Sequence, residues 1–165
     1  MTRGVALLLT SLTLAACAEG STQPEVEFEV IEETVFAASL GVDLSAMTRL
    51  ESGVYVQDLV VGTGPPAVLG NVVDLNLTGW LANGTQWTQT TERLSLGNSP
   101  TISGLEDAVF LMPEGGVRRA VIPPGRGYGA VDFYDGAGNL LVPAGSILVF
   151  EIELVLVAEP AGNHE

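Results

Sequence analysis

The stretch that decides the fold is Val-Arg-Arg-Ala-Val-Ile-Pro-Pro-Gly-Arg-Gly-Tyr-Gly, which runs from Val117 to Gly129. Its first six residues mix β-branched and basic side chains, a pattern that predicts a strand over 117–122. Two prolines then end the strand, because proline has no N–H for a sheet ladder and a fixed φ. Tyr128 follows between two glycines, and its phenol is either a contact for a ligand or a cap on the core.

Strands are also predicted on both sides of this stretch. Residues 72–81 alternate apolar and polar side chains, so one face of that strand is predicted to be buried and the other wet. Asn83-Gly84 directly after it predicts a hairpin with a type I′ turn, in which both central residues have positive φ. Residues 146–157 predict the last strand. Its apolar face consists of Leu148, Phe150, Ile152 and Leu154.

One short helix is predicted between these strands. Leu105, Val109 and Met112 fall on one side of residues 104–111, and a proline ends the run. Residues 130–142 contain two glycine turn signals and predict a longer loop. The order of elements predicts an α+β domain in which an antiparallel sheet of about five strands packs on the helix.

The chain begins with the features of an exported bacterial lipoprotein. Residues 1–16 carry one arginine and then an apolar, uncharged run that is too short to span a membrane, which predicts a secretory signal peptide. The run ends in Leu-Ala-Ala-Cys, which resembles a lipobox and predicts lipidation at Cys17; the alternative is an ordinary signal peptide with a chance cysteine. Because Ala18 rather than an aspartate follows, we expect an outer-membrane anchor with the domain facing the periplasm.

The remaining chain divides into a leader segment, a domain and a tail. Residues 17–50 are predicted to hold the lipidated cysteine, an acidic tether and a docking segment, residues 51–158 the domain, and residues 159–165 a tail. Within the leader segment, 25–33 alternates acids with apolar residues and fits either an edge strand or a solvated extended segment. Residues 35–47 have apolar side chains at helical spacing, which predicts a short amphipathic helix.

The composition excludes several kinds of chemistry. The chain has six arginines, no lysine and 20 acidic residues, so no nucleic-acid partner is expected, since phosphate binding needs a basic face. His164, the only histidine, lies in the tail, so neither a histidine-based catalytic set nor a zinc or copper site is expected in the domain. Gly125, Gly127 and Gly129 lead into a loop rather than a helix, which argues against a dinucleotide site. No cofactor is expected.

Residues 53–157 resemble the FKBP-type peptidyl-prolyl isomerases, whose fold is a half-barrel of antiparallel strands wrapped on one short helix. The matching motifs occur in the family's order: Leu77–Leu81 with Asn83-Gly84 and Trp87, Leu96-Gly97, Ile102–Glu106, Val117–Gly129, Val142-Pro143 and Leu148–Leu154. The resemblance implies isomerisation of the X–Pro amide in proline-containing polypeptides, and we expect a monomer that assists the folding of exported proteins.

The resemblance also implies the site. Tyr128 would donate its hydroxyl to a substrate carbonyl, and Trp87 would form an aromatic wall beside it. The positions that match the family's substrate pocket are Leu77, Thr88, Ile102, Leu105, Val142 and Phe150.

Three of these positions depart from the family pattern. Leu77 stands where the family has a tyrosine, Thr88 where it has an aspartate, and Leu105 where it has a tryptophan. The tyrosine and the aspartate are hydrogen-bond partners in typical members, so losing both leaves no buried group unpaired. We therefore expect weak to moderate isomerase activity, with a non-catalytic module that binds proline segments as the alternative. A purely structural lipoprotein is the least favoured reading, because it would not need the pocket aromatics.

Overall fold

The computed structural model describes residues 25–159, so the predicted signal peptide, Cys17 and most of the predicted tail lie outside the described residues. The strands are β1 (Thr48–Arg49), β2 (Tyr55–Val60), β3 (Val72–Leu81), β4 (Gln86–Ser95), β5 (Val117–Ile122), β6 (Phe133–Tyr134), β7 (Leu140–Val142) and β8 (Leu148–Ala158). One α-helix, α1 (Ser103–Val109), lies between β4 and β5, and short 3₁₀ turns occupy Ile31–Glu33, Ala38–Leu40, Leu44–Ala46 and Pro124–Arg126. No helix among the described residues is both long and apolar enough to cross a membrane.

The strands form one six-stranded sheet in the order β1-β2-β5-β8-β3-β4, and every neighbouring pair is antiparallel. The predicted α+β class is therefore confirmed. The sixth strand is β1, which pairs with the start of β2 and lies before the predicted domain boundary at residue 51. The expectation of a plain loop over 130–142 is wrong, because β6 and β7 pair there as a separate two-stranded ribbon.

The β3–β4 hairpin is confirmed, but its predicted turn type is wrong. Gly84 has a φ of +89°, whereas Asn83 is not among the described residues with positive φ, so the turn is not type I′. The Gly84 N–H donates to the Leu81 carbonyl and the Leu81 N–H to the Thr85 carbonyl, both at 2.9 Å. The Asn83 side chain accepts from the Thr85 N–H at 2.9 Å, so one left-handed glycine is enough to close the turn.

Helix α1 packs on one face of the sheet, which we call the concave face and whose opposite we call the convex face. Its buried residues Leu105 and Val109 join the inward residues of β3, β5 and β8 in the main core, as the helical spacing predicted. Arg118 of β5 connects strand β2 and helix α1 through hydrogen bonds. Its Nε donates to the Asp58 carboxylate at 2.6 Å and its Nη1 to the Ala108 carbonyl at 2.8 Å. The second bond satisfies a carbonyl in the last turn of the helix, which has no partner within the helix itself.

A second core lies on the opposite, convex face of the sheet, and residues 25–47 cover it. We call this covering segment the strap. Ile31 and Leu40 of the strap are buried against outward-facing residues of the sheet and its connecting loops. These are Tyr55, Val121, Ile147 and Val149. The strap lies within residues 17–50, for which the lipidated cysteine, an acidic tether and a docking segment are predicted.

The predicted helix over 35–47 is wrong, because the strap crosses the sheet through separate 3₁₀ turns. Gly41 has a φ of +58°, a left-handed conformation that ends the turn at Ala38–Leu40 and cannot continue a helix. Residues 25–30 belong to no strand, so of the two alternatives for 25–33 the edge strand is wrong. Burial of side chains against the sheet, rather than helix propensity, sets the path of this segment.

Candidate functional site

The concave face leaves an open pocket of about 610 Å³ between β4, helix α1, the loop after β5 and the β6–β7 ribbon. Its lining consists of Leu77, Trp87, Thr88, Thr90, Glu92, Pro100, Thr101, Ile102, Leu105, Tyr128, Phe133, Leu141 and Phe150. Most of these side chains are aromatic or aliphatic. A depression of about 700 Å³ on the convex face is slightly larger, but mainly polar strand residues line it. The concave pocket is lined by four aromatic rings and therefore suits an apolar group such as a proline ring.

Trp87 is the centre of an aromatic cluster in this pocket. Its ring meets those of Tyr128, Phe133 and Phe150 edge to face, with centroid distances of 5.9, 6.0 and 5.5 Å. Tyr128 and Phe133 stack on each other at 4.5 Å with an interplanar angle of 16°. Both arrangements are favourable for aromatic pairs, so the four rings hold one another in place around the opening.

A strand irregularity places Trp87 in the pocket. Gly79 pairs with Thr88 and Trp80 pairs with Gln86, so Trp87 is an extra residue in β4. Such bulges redirect a side chain without ending the strand pair. Gly79 completes the arrangement, because a Cβ there would lie 3.0 Å from the Phe150 ring and 3.1 Å from the Trp87 ring. The close approach of these rings therefore requires glycine at position 79.

The Tyr128 hydroxyl is available to a ligand. In the part of the chain that the structure describes, it takes part in no side-chain hydrogen bond, unlike Tyr55 and Tyr134, whose hydroxyls donate to carboxylates. Burial raises the pKa of Tyr128 above its usual value of 10.0, and the negative charge of Glu92 adds to the effect. The phenol is therefore a neutral donor across the physiological pH range.

The structure brings together seven of the eight residues that the sequence indicated. Trp87, Thr88 and Leu77 come from the β3–β4 hairpin, and Ile102 and Leu105 from the start of α1. Tyr128 and Phe150 also line the pocket. The eighth, Val142, is buried in the core and pairs with Phe133 in the ribbon, while its neighbour Leu141 lines the pocket instead.

Sequence reasoning missed other lining residues, including Phe133, Thr90 and Glu92. Phe133 was overlooked because residues 130–142 were predicted to be a loop, and aromatic residues in loops carry little information about packing. Thr90 and Glu92 follow Thr88 at intervals of two, so they share its face of β4. That alternation was a usable signal.

Two of the three departures from the family pattern, Leu77 and Leu105, make the inner part of the pocket apolar. Leu77 and Leu105 are both 3% exposed and contribute only methyl groups. Among residues 25–159, no group of three or more histidine, cysteine or acidic side chains could hold a metal ion. The described part of the site thus offers one neutral hydroxyl donor, one carboxylate, a few threonine hydroxyls and an apolar wall.

Comparison with known proteins gives the same family that the sequence motifs resemble. Residues 64–155 match the family described as FKBP-type peptidyl-prolyl cis-trans isomerase. The FK506-binding protein of Neisseria meningitidis serogroup B is 38% identical over 112 residues, which is 65% of this chain and 98% of that protein.

Two solved structures share the fold. The peptidyl-prolyl cis-trans isomerase of Pseudomonas syringae pv. tomato is 31% identical with a TM-score of 0.62, covering 74% of this chain and 87% of that one. The crystal structure of FkpA from Escherichia coli is 26% identical with a TM-score of 0.60, covering 71% of this chain and 53% of that one. The sequence match, the fold and the aromatic pocket agree: this chain belongs to the FKBP-type peptidyl-prolyl cis-trans isomerase family.

Proposed function

We propose that this protein is a peptidyl-prolyl cis-trans isomerase that assists the folding of exported proteins. The observation that carries the proposal is the open aromatic pocket of about 610 Å³ with the free Tyr128 hydroxyl at its side. The pocket has the shape and polarity for a proline ring, and family membership supports the reaction.

The reaction suits a site of this kind because it breaks no covalent bond. Resonance gives the X–Pro amide a rotation barrier of about 18–20 kcal/mol, and uncatalysed isomerisation takes roughly 10–100 s. An apolar pocket removes water from the amide and so disfavours its polar planar form relative to the twisted one. Each tenfold acceleration requires only about 1.4 kcal/mol of such differential stabilisation.

Each part of the pocket has a role in this mechanism. The rings of Trp87 and Phe150, with Leu105 and Ile102, enclose the proline ring. The Tyr128 hydroxyl donates to a carbonyl oxygen of the substrate and fixes the orientation of the segment. Because the pKa of Tyr128 is raised, this donor keeps its proton above neutral pH.

A second candidate function is supported by the same pocket. Leu77 and Thr88 replace a tyrosine–aspartate pair that the family resemblance leads us to expect beside the twisting amide. A pocket with fewer polar contacts still binds proline segments through its apolar wall. In this alternative the protein is a non-catalytic binding module, and bound peptides would isomerise no faster than free ones.

The proposed location is the bacterial envelope, where a lipid on Cys17 anchors the chain and the domain faces the periplasm. The protein is proposed to be a monomer. The observations that support this location are the sequence Leu-Ala-Ala-Cys at residues 14–17 and the net charge of −14. Anionic lipid headgroups would repel such an acidic domain, so it would stand away from the surface that anchors it. Incorporation of labelled fatty acid that is lost in Cys17→Ser would support the anchor, and retained incorporation would contradict it.

The isomerase proposal is tested by measuring cis/trans exchange in a panel of X–Pro peptides with the full-length chain purified in detergent. We expect acceleration above buffer for at least part of the panel. Tyr128→Phe should lower kcat/KM by about 2- to 10-fold, the effect of one lost hydrogen bond. Tyr134→Phe is the matched control, because its hydroxyl donates to Asp132 outside the pocket, and it should leave the rate unchanged.

Two results would separate the alternatives. Binding of the peptides without acceleration of exchange would favour the non-catalytic module. Equal activity in the wild type and Tyr128→Phe would remove Tyr128 from the mechanism.

A further inference from the structure

Glu92 occupies an unusual place for a carboxylate. It lies on β4 directly opposite Leu75 of β3, which is fully buried on the concave face. Paired residues of an antiparallel sheet point to the same side, so the Glu92 side chain is on the concave face as well. It is half-buried and lines the pocket, together with Thr88 and Thr90 on the same face of the strand.

No cation of the described chain neutralises this carboxylate. The five arginines among residues 25–159 each pair with a different acid. The pairs are Arg49–Glu32, Arg93–Asp74, Arg118–Asp58, Arg119–Glu151 and Arg126–Asp107. The whole chain contains no lysine. In the described residues, Glu92 takes part in no ion pair and no side-chain hydrogen bond.

An unpaired carboxylate at this position does not help the fold. Its described contacts include no ion pair and no side-chain hydrogen bond that would stabilise the sheet, and a threonine or an apolar residue would suit the neighbourhood of Leu75 better. The charge also acts on the site, since it contributes to the raised pKa of Tyr128 after burial itself. Glu92 is therefore the one acidic side chain, and the one charged residue type, among the described residues that line this pocket.

We propose that Glu92 makes the site selective for proline segments that carry a lysine or arginine directly beside the proline. The inference rests on the proposed function, because it assumes that the proline ring occupies the aromatic pocket. The substrate then supplies the cation that the chain itself lacks. A segment with an acidic residue in that position would be disfavoured by the same charge.

The expected size of the selectivity is modest. Because Glu92 is partly exposed, water screens its interaction with a substrate cation, and we expect about a 3- to 10-fold preference in kcat/KM. Raising the salt concentration from about 0.02 M to 0.5 M should reduce the preference, since the screening length shortens from about 20 Å to about 4 Å.

The test uses the full-length chain in detergent and peptides Ala-X-Pro-Phe in which X is lysine, norleucine or glutamate. A second set carries the same residues directly after proline. In at least one set, lysine should be preferred over norleucine, which has the same alkyl length without the charge, and glutamate should be the poorest. Glu92→Gln should abolish the ranking, whereas Glu153→Gln, an equal change of charge on the convex face, should preserve it.

The outcomes distinguish this inference from the proposed function. Catalysis with equal rates for lysine and norleucine in both sets, or a ranking that survives in Glu92→Gln, would overturn the role of Glu92. If no peptide isomerises faster than in buffer, the isomerase proposal fails, and peptide affinities measured by tryptophan fluorescence then decide the inference. The same lysine preference in affinity, lost in Glu92→Gln, would support it, and equal affinities would overturn it.

Discussion

Both faces of the central sheet carry apolar side chains, but the chain covers these side chains to different extents on the two faces. On the convex face, the strap covers Val121 and Val149, which are 0% and 1% exposed. On the concave face, helix α1 covers only part of the surface, and the rings of Trp87 and Tyr128 remain half-buried beside an open pocket. The molecule closes one apolar face with its own chain and leaves the other open.

This difference identifies the face that is open to a ligand. Apolar surface in contact with water is unfavourable. On the convex face, residues 25–47 remove this surface from water. The tryptophans illustrate the contrast, because Trp80 packs in the strap cluster while Trp87, displaced by the bulge, enters the pocket. Substitutions on the two faces should therefore differ in effect, with stability lost on the convex face and activity lost on the concave face.

The largest expected effect is on the covered face. Leu40→Ala should lower the free energy of unfolding by about 2–4 kcal/mol, since it removes a buried leucine from the strap and leaves a cavity. Val35→Ala is the matched control, because Val35 lies in the same segment and is 93% exposed, and it should change stability by about 0.5 kcal/mol or less. Urea unfolding measures both. Equal, small losses would show that the strap is not part of the folded unit.

The two tryptophans should give opposite results. Trp87→Ala should reduce kcat/KM for X–Pro peptides by more than about tenfold, because it removes the ring that contacts three other pocket aromatics. Trp80→Ala should weaken the convex core and lower the unfolding free energy, with kcat/KM changed by less than about threefold. Peptide exchange rates and urea unfolding on both variants provide the check. A larger loss of activity in Trp80→Ala would reverse the assignment of the faces.

The pH dependence of activity should follow the raised pKa of Tyr128. The donor is the neutral phenol, so a pKa above 10.0 keeps it protonated where an exposed tyrosine would begin to ionise. We expect kcat/KM to be constant near neutral pH and the midpoint of its decline to lie above pH 10. If kcat/KM declines with a midpoint near pH 9 in the wild type but not in Tyr128→Phe, Tyr128 ionises at a lower pH than its burial and the charge of Glu92 imply. That result would contradict the prediction.

The smallest expected effect is at Thr88. Thr88→Asp restores the residue type that the family resemblance implies, but Leu77 offers no hydroxyl to pair with it. The new carboxylate would line the same pocket as Glu92, and two like charges in one pocket disfavour each other. Exchange assays should therefore show no gain in kcat/KM, and a clear gain would refute the coupling between positions 77 and 88.

Regular alternation made much of the fold predictable. The buried Val73, Leu75 and Leu77 of β3 alternate with wetter residues, so the sequence pattern alone identifies the strand and its inner face. Helix α1 was predictable for the same reason, since Leu105 and Val109 repeat at helical spacing. In both elements a single face meets the core.

The features that were missed depend on contacts that are distant in sequence. The strap has helical spacing, yet Gly41 and packing against Val149 give it 3₁₀ turns instead. Whether Leu141 or Val142 faces the pocket depends on the register of the β6–β7 ribbon, which sequence alone did not indicate. Glu92 was overlooked because charged residues on strands are usually solvated.

The most direct test of the account is to follow both indole N–H signals of ¹⁵N-labelled protein by NMR while an X–Pro peptide is added. The chain has only two tryptophans, and one lies on each face of the sheet. If the open concave face binds proline segments, the Trp87 signal shifts with added peptide and the Trp80 signal stays in place. A shift of the Trp80 signal alone, or no shift of either at saturating peptide, would contradict the account.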